Sequence, residues 1–187
     1  MKALIDGPAR ASDGAADRTG VAEATDDPGW VIRSASESDF SRVQELWRQS
    51  DELHGRLRPD FFAAEPPLRS ARELRELLGG RSGRLLVADA EGDVVGMLRV
   101  QIFDTPSEPF MARRRRGHVD ELVVDEKFRR LGLGRALMDA AAHFCRERGA
   151  EQLVLTVWAG NAAAERFYRS LGYGEVSRVM SLDLRAR

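Results

Sequence analysis

Apolar residues in the first part of the chain recur every three or four positions, as they do on one face of a helix. This spacing predicts a helix over 36–50 and a second helix over 68–78, which a pair of glycines would end. A short apolar run at 30–33 precedes the first helix and predicts a strand. Residues 53–67 contain three prolines, which indicates a loop or a short broken helix between the two.

The spacing then changes to alternation, with later returns to the helical period. From residue 84 onward the predicted elements are strands over 84–88, 94–103 and 118–124, a helix over 134–148, a strand over 152–158, a helix over 162–171 and a final strand over 175–184. The turn of Glu91, Gly92 and Asp93 would join the first two of these strands as a hairpin. Hairpins followed by a strand–helix–strand crossover predict an α/β (α+β) fold, with a mixed, mostly antiparallel central sheet flanked by helices.

The first 29 residues are rich in alanine, glycine, aspartate and threonine and show no amphipathic period. Such a segment cannot bury enough apolar surface to offset the entropy that is lost on ordering. We therefore expect residues 1–29 to be a disordered tail and residues 30–187 to form a single domain.

Composition narrows the classes of function. Hydrophobic residues make up 43% of the chain and charged residues 32%, which is typical of a globular protein. The formal net charge of -1 does not favour nucleic acid or an anionic membrane as a partner. The one cysteine excludes a disulfide framework and a cysteine-based zinc site within the chain, and we predict no metal site. No apolar run approaches the ~20 residues that span a bilayer, so we expect a cytoplasmic protein.

Basic residues and glycines meet where the predicted strand over 118–124 gives way to a helix. The seven residues of this turn, in order, are Arg129, Arg130, Leu131, Gly132, Leu133, Gly134 and Arg135. The first turn of a helix has unpaired backbone N–H groups and a positive dipole end, so it attracts anions. Arginines and glycines at this place predict a phosphate-binding turn. A tight turn with solvated arginines fits the same residues equally well.

The common nucleotide-binding loops fit this turn less well. The chain contains no Gly-Lys-Ser/Thr sequence, which a phosphate loop of the NTPase kind requires. The Gly-x-Gly-x-x-Gly pattern of a dinucleotide site would need a glycine in place of Leu137. A nucleotide-binding domain is therefore disfavoured.

Two motifs in this half of the chain resemble those of the GNAT superfamily of N-acyltransferases. The acetyl-CoA-binding motif of that family, Arg/Gln-x-x-Gly-x-Gly/Ala after a strand, is matched by Arg129, Gly132 and Gly134. A second family motif, Asn-x-x-Ala-x-x-Phe-Tyr-x-x-x-Gly-Phe/Tyr, is matched between Asn161 and Tyr173. The two motifs occur in the family's order, and the resemblance in element order covers about residues 31–184.

The resemblance implies a GNAT-like acyl-CoA N-acyltransferase fold with acetyl-CoA as co-substrate. By this likeness, the backbone of Leu122, Val123 and Val124 would pair with the pantetheine arm, and the glycine turn would hold the pyrophosphate. Asn161 would cap the following helix and also contact the pantetheine or pyrophosphate region. Tyr168 would contact the cofactor and donate a hydrogen bond or a proton to the leaving thiolate, while the amine attacks the acetyl carbonyl directly.

The residue that removes the amine proton is left open by the sequence. Asp120 and Glu121 resemble the acidic pair of family members that act on polyamines and related small amines, and His118 is a weaker candidate. Strict alternation would place His118 and Asp120 on one face of the strand and Glu121 on the other. The four arginines at 113–116 are interpreted as a solvated loop, with a grip on an anionic acceptor or on the 3′-phosphate of CoA as the alternative.

The predicted function is transfer of the acetyl group of acetyl-CoA to a primary amine on a small molecule or a peptide. A non-catalytic acyl-CoA-binding regulatory module of the same fold is the alternative, and Tyr168 together with the acidic strand residues argues against it. Dimers are frequent in the family, so a homodimer is one expected assembly, although the residues indicate no interface.

Overall fold

The computed structural model describes residues 29–80, 82–105, 110 and 112–184 of the chain. The predicted disordered tail lies outside these residues, apart from Gly29. The described part forms five strands and four helices, and none of these helices is long and apolar enough to cross a membrane. In chain order the elements are β1 (Val31–Ser34), α1 (Phe40–Leu57), α2 (Ala71–Gly79), β2 (Gly83–Ala90), β3 (Asp93–Asp104), β4 (Arg115–Val124), α3 (Leu133–Glu147), β5 (Gln152–Leu155) and α4 (Ala162–Ser170).

The strands form one sheet in the order β1-β2-β3-β4-β5, with the first three pairings antiparallel and the last one parallel. Glu91 and Gly92 join β2 to β3 through a two-residue turn in which both have positive φ, 53° and 91°. Such a tight turn links antiparallel neighbours, whereas α3 provides the longer crossover that the parallel pair β4–β5 requires. The predicted mixed, mostly antiparallel sheet is confirmed.

Helices cover both faces of the sheet. α3 packs on one face, where Leu137 and Ala141 join a buried cluster with residues of β2, β3 and β4. α1 and α2 pack on the other face, where Leu46, Trp47 and Leu74 are buried with residues of the same strands. β4 is therefore held between two layers of helices.

Close packing of α3 on the sheet requires a glycine on β4. A Cβ atom on Gly117 would overlap the Sγ atom of Cys145 and would lie 2.9 Å from Leu153 Cδ1. Cys145 is buried, and burial raises the pKa of its thiol. A thiol of this kind serves packing, because a nucleophilic cysteine needs a lowered pKa.

α1 is longer than predicted and includes the first residues of the segment expected to be a loop. It ends at Leu57 instead of near residue 50, and the Arg58 N–H donates to the carbonyl oxygen of His54 at 2.9 Å. Pro59 follows directly, and a proline disfavours helical backbone in the residue before it. The helix therefore continues until the first proline of the segment stops it.

β4 begins earlier than predicted, at Arg115 instead of residue 118. Arg115 lies opposite Asp104 on β3, and its Nε donates to Oδ1 of that aspartate at 3.1 Å. The interpretation of the arginines at 113–116 as a loop is wrong for Arg115 and Arg116, because the ladder with β3 extends through both. Arg113 and Arg114 stand before the strand and are exposed.

The last predicted strand is not formed. Residues 173–183 contain neither helix nor strand, and β5 is the last strand of the sheet in the described chain. The expectation of a strand over 175–184 is wrong. A strand forms only where a neighbouring strand takes up its backbone hydrogen bonds, and this segment has no neighbouring strand in the described chain. β5 also ends at Leu155, three residues before its predicted end at residue 158.

Candidate active site

β4 and β5 run side by side for four residues and then part. Their parallel register ends with Val119 opposite Leu155. β5 stops there, whereas β4 continues along β3 as far as Val124. Over residues 120–124, the edge of β4 that faces away from β3 therefore has no strand partner in the described chain. We call the place where the two strands part the cleft.

A β-bulge sets the place where the strands part. Two consecutive residues of β3, Arg99 and Val100, stand opposite Glu121 and Val119, respectively. Asp120 is thus an extra residue on β4, and an extra residue bends a strand and increases its local twist. The bend comes directly after the last pair with β5, so it turns the rest of β4 away from that strand.

The bulge also changes the direction of the two carboxylates. Glu121 is hydrogen-bonded to α1 and therefore points toward that helix. Asp120 contacts Arg99 and Gln101 of β3, which flank Val100. Val100 packs toward α3, so its two neighbours on β3 point to the opposite face, toward α1. Asp120 contacts both of these neighbours and therefore lies on the same face. The predicted separation of the carboxylates onto opposite faces is wrong, because a bulge adds one residue to the alternation.

Three neighbours hold the Asp120 carboxylate. Gln101 Nε2 donates to Oδ2 at 2.7 Å, and Arg99 Nε lies 3.2 Å from the same oxygen. His118 Nδ1 lies 2.8 Å from Oδ1, so the predicted proximity of His118 and Asp120 is confirmed. Both oxygens of Asp120 therefore contact protein groups, and these contacts hold the carboxylate in place.

Glu121 is less exposed than Asp120. Trp47 Nε1 donates to Oε2 at 2.7 Å, and the Arg69 guanidinium lies 4.8 Å from the centre of the Trp47 ring. Burial raises the pKa of Glu121, and the charge of Arg69 and the hydrogen bond from Trp47 oppose that shift without cancelling it. A carboxylate with a raised pKa is a stronger base, so Glu121 is the better placed of the two to accept a proton.

Two adjoining clefts, of about 250 and 330 Å³, lie between α1 and the loop that follows it. Both are lined by Asp51, Glu52, Ala64 and Pro66. The smaller cleft also includes Arg69, which pairs with Asp51 at 2.7 Å and covers the tryptophan that binds Glu121. Each lining has one more acidic than basic side chain, which suits a positively charged ligand.

An aromatic cluster connects this loop to the chain that follows β5. Phe61 and Phe62 lie against Trp158, with ring centres 4.6 and 5.0 Å apart. His54 of α1 stacks on Phe62 at 5.1 Å, and burial lowers the pKa of its imidazole, so the ring is neutral at pH 7. Because Trp158 comes just after β5, the cluster lies beside the strand that forms the second wall of the cleft.

The two glycines of the strand-to-helix turn have different roles. Gly132 is the N-cap of α3 with φ of 90°, a left-handed conformation that favours glycine, and a Cβ atom there would meet nothing within 4 Å. A Cβ atom on Gly134 would instead lie 3.2 Å from Phe167 Cζ. Gly132 therefore leaves open space for a ligand, and Gly134 allows α4 to pack closely against α3.

The start of α3 has backbone N–H groups that the helix itself does not use. The amide of Ala136 donates to the carbonyl oxygen of Gly132 at 3.1 Å, which is the first bond of the helix. The N–H groups of Leu133, Gly134 and Arg135 precede that bond and have no acceptor within the helix. They form a positively polarised end that can bind an anion.

The side chains around this helix start lie on the surface. Arg129, Arg130, Leu131 and Arg135 are all exposed. Arg129 Nε donates to the carbonyl oxygen of Val124 at 3.1 Å and so ties the turn to the end of β4. Exposed guanidinium groups beside unpaired N–H groups fit a polyanion such as a pyrophosphate.

Backbone groups of β4 alternate between β3 and the cleft. The Asp125 N–H donates to the carbonyl oxygen of Val95 on β3 at 2.9 Å. Alternation then directs the peptide groups of Val124 and Leu122 toward the cleft and those of Val123 toward β3. Of the three residues predicted to pair with an extended ligand, Leu122 and Val124 offer their backbone, whereas Val123 contributes a buried side chain.

α4 carries the second sequence motif. Asn161 is its N-cap, with Oδ1 accepting from the Ala164 N–H at 3.1 Å, so the predicted capping role is confirmed. Tyr168 lies with its ring centre 5.2 Å from that of Phe167 and 5.8 Å from that of Tyr173. Burial raises the pKa of Tyr168 to about 12, so its hydroxyl keeps its proton at neutral pH.

Sequence reasoning found the acidic pair and the two motifs but missed the residues that surround them. The additional residues are Trp47, Asp51, Phe62, Arg69 and Trp158. Trp47 showed only helical spacing, and the loop after α1 has no periodic pattern that could indicate its contacts. The described residues contain no group of three side chains suited to hold a metal ion.

Proteins of similar sequence bear the names of N-acetyltransferases. An N-alpha-acetyltransferase from Sulfurisphaera tokodaii is 36% identical over 93 residues, which cover 48% of this chain and 56% of the relative. The chain thus spans about half the length of that protein. The L-amino acid N-acetyltransferase AaaT from Escherichia coli K12 is 29% identical over 147 residues, which cover 76% of this chain and 82% of the relative.

Solved structures share the fold. A mutant of the BH1408 protein from Bacillus halodurans gives a TM-score of 0.79 at 28% identity and covers 82% of this chain and 99% of its own. The aminoglycoside N-acetyltransferase AAC(6')-Iy in complex with CoA gives a TM-score of 0.66 at 18% identity and covers 83% of this chain and 95% of its own. At this identity the likeness shows the fold alone.

The profile of the Acetyltransferase (GNAT) family matches residues 47–173, more than half of the chain. The match includes the acidic pair, the glycine turn and the whole second motif, and it confirms the resemblance seen in the sequence. This chain belongs to the GNAT family of acetyltransferases.

Proposed function

We propose that this protein is an acetyl-CoA-dependent N-acetyltransferase that acts on a primary amine of a small molecule or a peptide. The observation that carries the proposal is the cleft where β4 parts from β5 at the Asp120 bulge. A helix start with unpaired N–H groups lies at the far end of β4, and Glu121, with its raised pKa, lies beside the bulge. A thioester with a phosphate-bearing tail and an incoming amine both fit such a cleft.

Acetyl-CoA would lie along the free edge of β4. Its pyrophosphate would accept hydrogen bonds from the first turn of α3, with the surrounding guanidinium groups neutralising its charge. The amides of the pantetheine arm would pair with the peptide groups of Leu122 and Val124, as an added strand would. The N–H₂ group of Asn161 remains to contact the ligand from α4, because the oxygen of that side chain serves the helix cap.

The amine must reach the acetyl carbonyl in its neutral form, because an ammonium has no lone pair. A free alkylammonium has a pKa of ~10.4, so it arrives protonated at neutral pH. Glu121 would take this proton, directly or through a water molecule, because burial strengthens it as a base. Asp120, held by its three neighbours, would keep the site negative and help bind the ammonium before it is deprotonated.

The transfer forms one bond and breaks another. The nitrogen lone pair attacks the acetyl carbonyl carbon, and the carbon–sulfur bond of the thioester breaks with its electron pair going to sulfur. Because Glu121 already holds the proton of the ammonium, the second proton that the nitrogen loses on forming the amide passes to solvent water. The hydroxyl of Tyr168 would donate a hydrogen bond to the leaving thiolate. Its pKa of about 12 lies well above the ~8.5 of a thiol, so it stabilises the thiolate without giving up its proton.

The choice of acceptor class is supported by the names of relatives and by the charge of the clefts. One relative is named an L-amino acid N-acetyltransferase and another an N-alpha-acetyltransferase. Amino acids are small-molecule amines, and an α-amino group is the amine at the start of a peptide. Each cleft beside α1 has an acidic excess, which favours a cationic amine. A cytoplasmic location and a homodimer stay predictions.

The proposed activity is tested by following free-thiol release from acetyl-CoA with polyamines, amino acids, aminoglycosides and N-terminal peptides. We expect release that depends on the amine with at least one of these classes, together with a product heavier by one acetyl group in mass spectrometry. Tight acetyl-CoA binding by calorimetry without release for any amine would favour the non-catalytic acyl-CoA-binding module instead.

The glycine turn is tested by a pair of matched substitutions. Gly132 and Gly149 both have positive φ, 90° and 73°, and both face open space, so replacing either with leucine costs similar backbone strain. We expect Gly132→Leu to weaken acetyl-CoA binding by at least about tenfold, because its side chain would occupy the approach to the α3 N–H groups. Gly149→Leu should bind as the wild type does, and equal affinities for the two variants would contradict the assignment.

The role of Glu121 is tested by Glu121→Gln, which can still accept the Trp47 hydrogen bond. We expect kcat/KM to fall by about 10²-fold, and the acidic limb of the wild-type rate profile to lie above the usual glutamate pKa. Because folding raises the pKa of Glu121, this group contributes its full share to the free energy of unfolding below about pH 4.5, the ordinary glutamate pKa. That contribution is lost as pH rises through the pKa of the folded state.

Urea unfolding across pH should therefore show that Glu121→Gln lacks this loss of stability. Asp120→Asn is the control, because its carboxylate is held by protein groups on both oxygens. A larger loss of rate in Asp120→Asn, or an acidic limb that survives in Glu121→Gln, would move the base to another group.

Tyr168 is tested against its neighbour Tyr173, which lies 5.8 Å away and also has a raised pKa through burial. We expect Tyr168→Phe to lower kcat by about 10²-fold, the loss typical of one donor to a developing anion, with little change in acetyl-CoA affinity. Tyr173→Phe removes the same atom nearby and should retain most of the rate. Similar rates for the two variants would refute the role of Tyr168.

A further inference from the structure

The chain between β4 and α3, residues 125–132, buries little of its own surface, and we call it the β4–α3 turn. Five of its side chains are exposed, and Phe128 is half-buried against the core. Arg130 has φ of 67°, a left-handed conformation that costs free energy in a residue with a Cβ atom. A strained segment of this kind keeps one conformation only where the surrounding structure holds it there.

Asp125 is the first residue of the β4–α3 turn and is only 6% exposed. Its Oδ1 accepts from the Lys127 N–H at 3.1 Å and so caps the short 3₁₀ helix of residues 126–128. Burial tends to raise the pKa of this carboxyl, but hydrogen bonds from the Lys127 N–H and from the side chains of Arg42 and Gln49 outweigh burial. The pKa is therefore lowered, and Asp125 is a buried anion at neutral pH.

The second oxygen of Asp125 contacts α1. Arg42 Nη2 and Gln49 Nε2 donate to Oδ2 at 3.2 and 3.4 Å, respectively. Gln49 also accepts the N–H of Glu126 through Oε1 at 3.4 Å, so this one side chain contacts two residues of the turn. Arg42 is fixed in its turn, because its Nε lies 2.8 Å from Asp93 Oδ1 on β3. We call Arg42, Gln49 and Asp125 the turn tether.

We propose that Asp125 is a positioning residue, which through the turn tether holds the β4–α3 turn in the conformation that binds the pyrophosphate of acetyl-CoA. The inference rests on the proposed function for the role of the turn. Because Asp125 is buried, it acts through the backbone that leads to the start of α3 and does not touch the ligand. The exposed, strained residues that follow it then need few contacts of their own.

In this arrangement α1 serves both substrates. Trp47 lies between Arg42 and Gln49 in the sequence and donates to Glu121 at 2.7 Å. One helix therefore contacts both the carboxylate that would take the amine proton and the turn that would bind the pyrophosphate. The two sets of contacts involve different side chains, so loss of the tether should weaken cofactor binding without changing the proton acceptor.

The tether is tested by the matched substitutions Asp125→Asn and Asp39→Asn. Asp39 is equally buried, at 7% exposed, and it also pairs with an arginine, Arg33, at 2.8 Å and accepts a backbone N–H, that of Ser36. Asparagine at 125 keeps an oxygen for the Lys127 cap but places an N–H₂ group against the two donors of α1.

We expect calorimetry to show that Asp125→Asn binds acetyl-CoA at least about tenfold more weakly, which is the loss of one hydrogen bond to a charged group. Asp39→Asn should bind as the wild type does, although urea unfolding should show a loss of stability in both variants. The acidic limb of the rate profile should be the same in Asp125→Asn as in the wild type.

Acetyl-pantetheine separates positioning of the turn from a general loosening of the fold. It has the same thioester as acetyl-CoA but lacks the pyrophosphate and the adenosine. We expect Asp125→Asn to bind acetyl-pantetheine as tightly as the wild type does. Gln49→Ala, which acts on the tether from α1, should also weaken acetyl-CoA alone, and combining it with Asp125→Asn should add little.

Wild-type affinity of Asp125→Asn for acetyl-CoA would overturn the proposal. So would equal losses of affinity for acetyl-CoA and acetyl-pantetheine, or a loss in Asp39→Asn as large as that in Asp125→Asn. If Asp125→Asn does not fold, Gln49→Ala decides by the same comparison of the two ligands. A wild type that binds acetyl-CoA and reacts with no amine would overturn the proposed transfer alone, because the binding comparison still decides the role of Asp125.

Discussion

The extra residue in β4 is the constraint on which the site depends. Asp120 has no partner on β3, and the strand bends just after its last pair with β5. Without the bulge, β4 could continue beside an extended β5, and its outer edge would be closed by a strand. One inserted residue therefore opens the cleft, leaves the outward backbone groups of Leu122 and Val124 without a strand partner, and turns Asp120 and Glu121 toward the same helix.

The two faces of the sheet contribute different chemistry to this cleft. On the α3 side, close packing at Gly117 and Gly134 fixes the helices whose first turns carry unpaired N–H groups. On the α1 side, Trp47 and Arg69 surround a glutamate whose pKa is raised by burial. In the proposed function, anion binding and proton removal are thus separated by the sheet, and a substrate that requires both would pass through the gap between β4 and β5.

Local sequence patterns determined most of the elements, the mixed sheet, the family and the position of the glycine turn, because helical spacing, alternation and glycine placement act over a few neighbouring residues. The end of α1 was missed because Pro59, and not the loss of periodicity, stops that helix. The faces of Asp120 and Glu121 were misassigned because a bulge is created by the register with β3, which a single strand does not reveal. Only the tertiary structure brought Trp47, Arg69 and Glu121 together, because contacts between residues distant in sequence, here up to 74 positions apart, follow from packing and leave no local pattern.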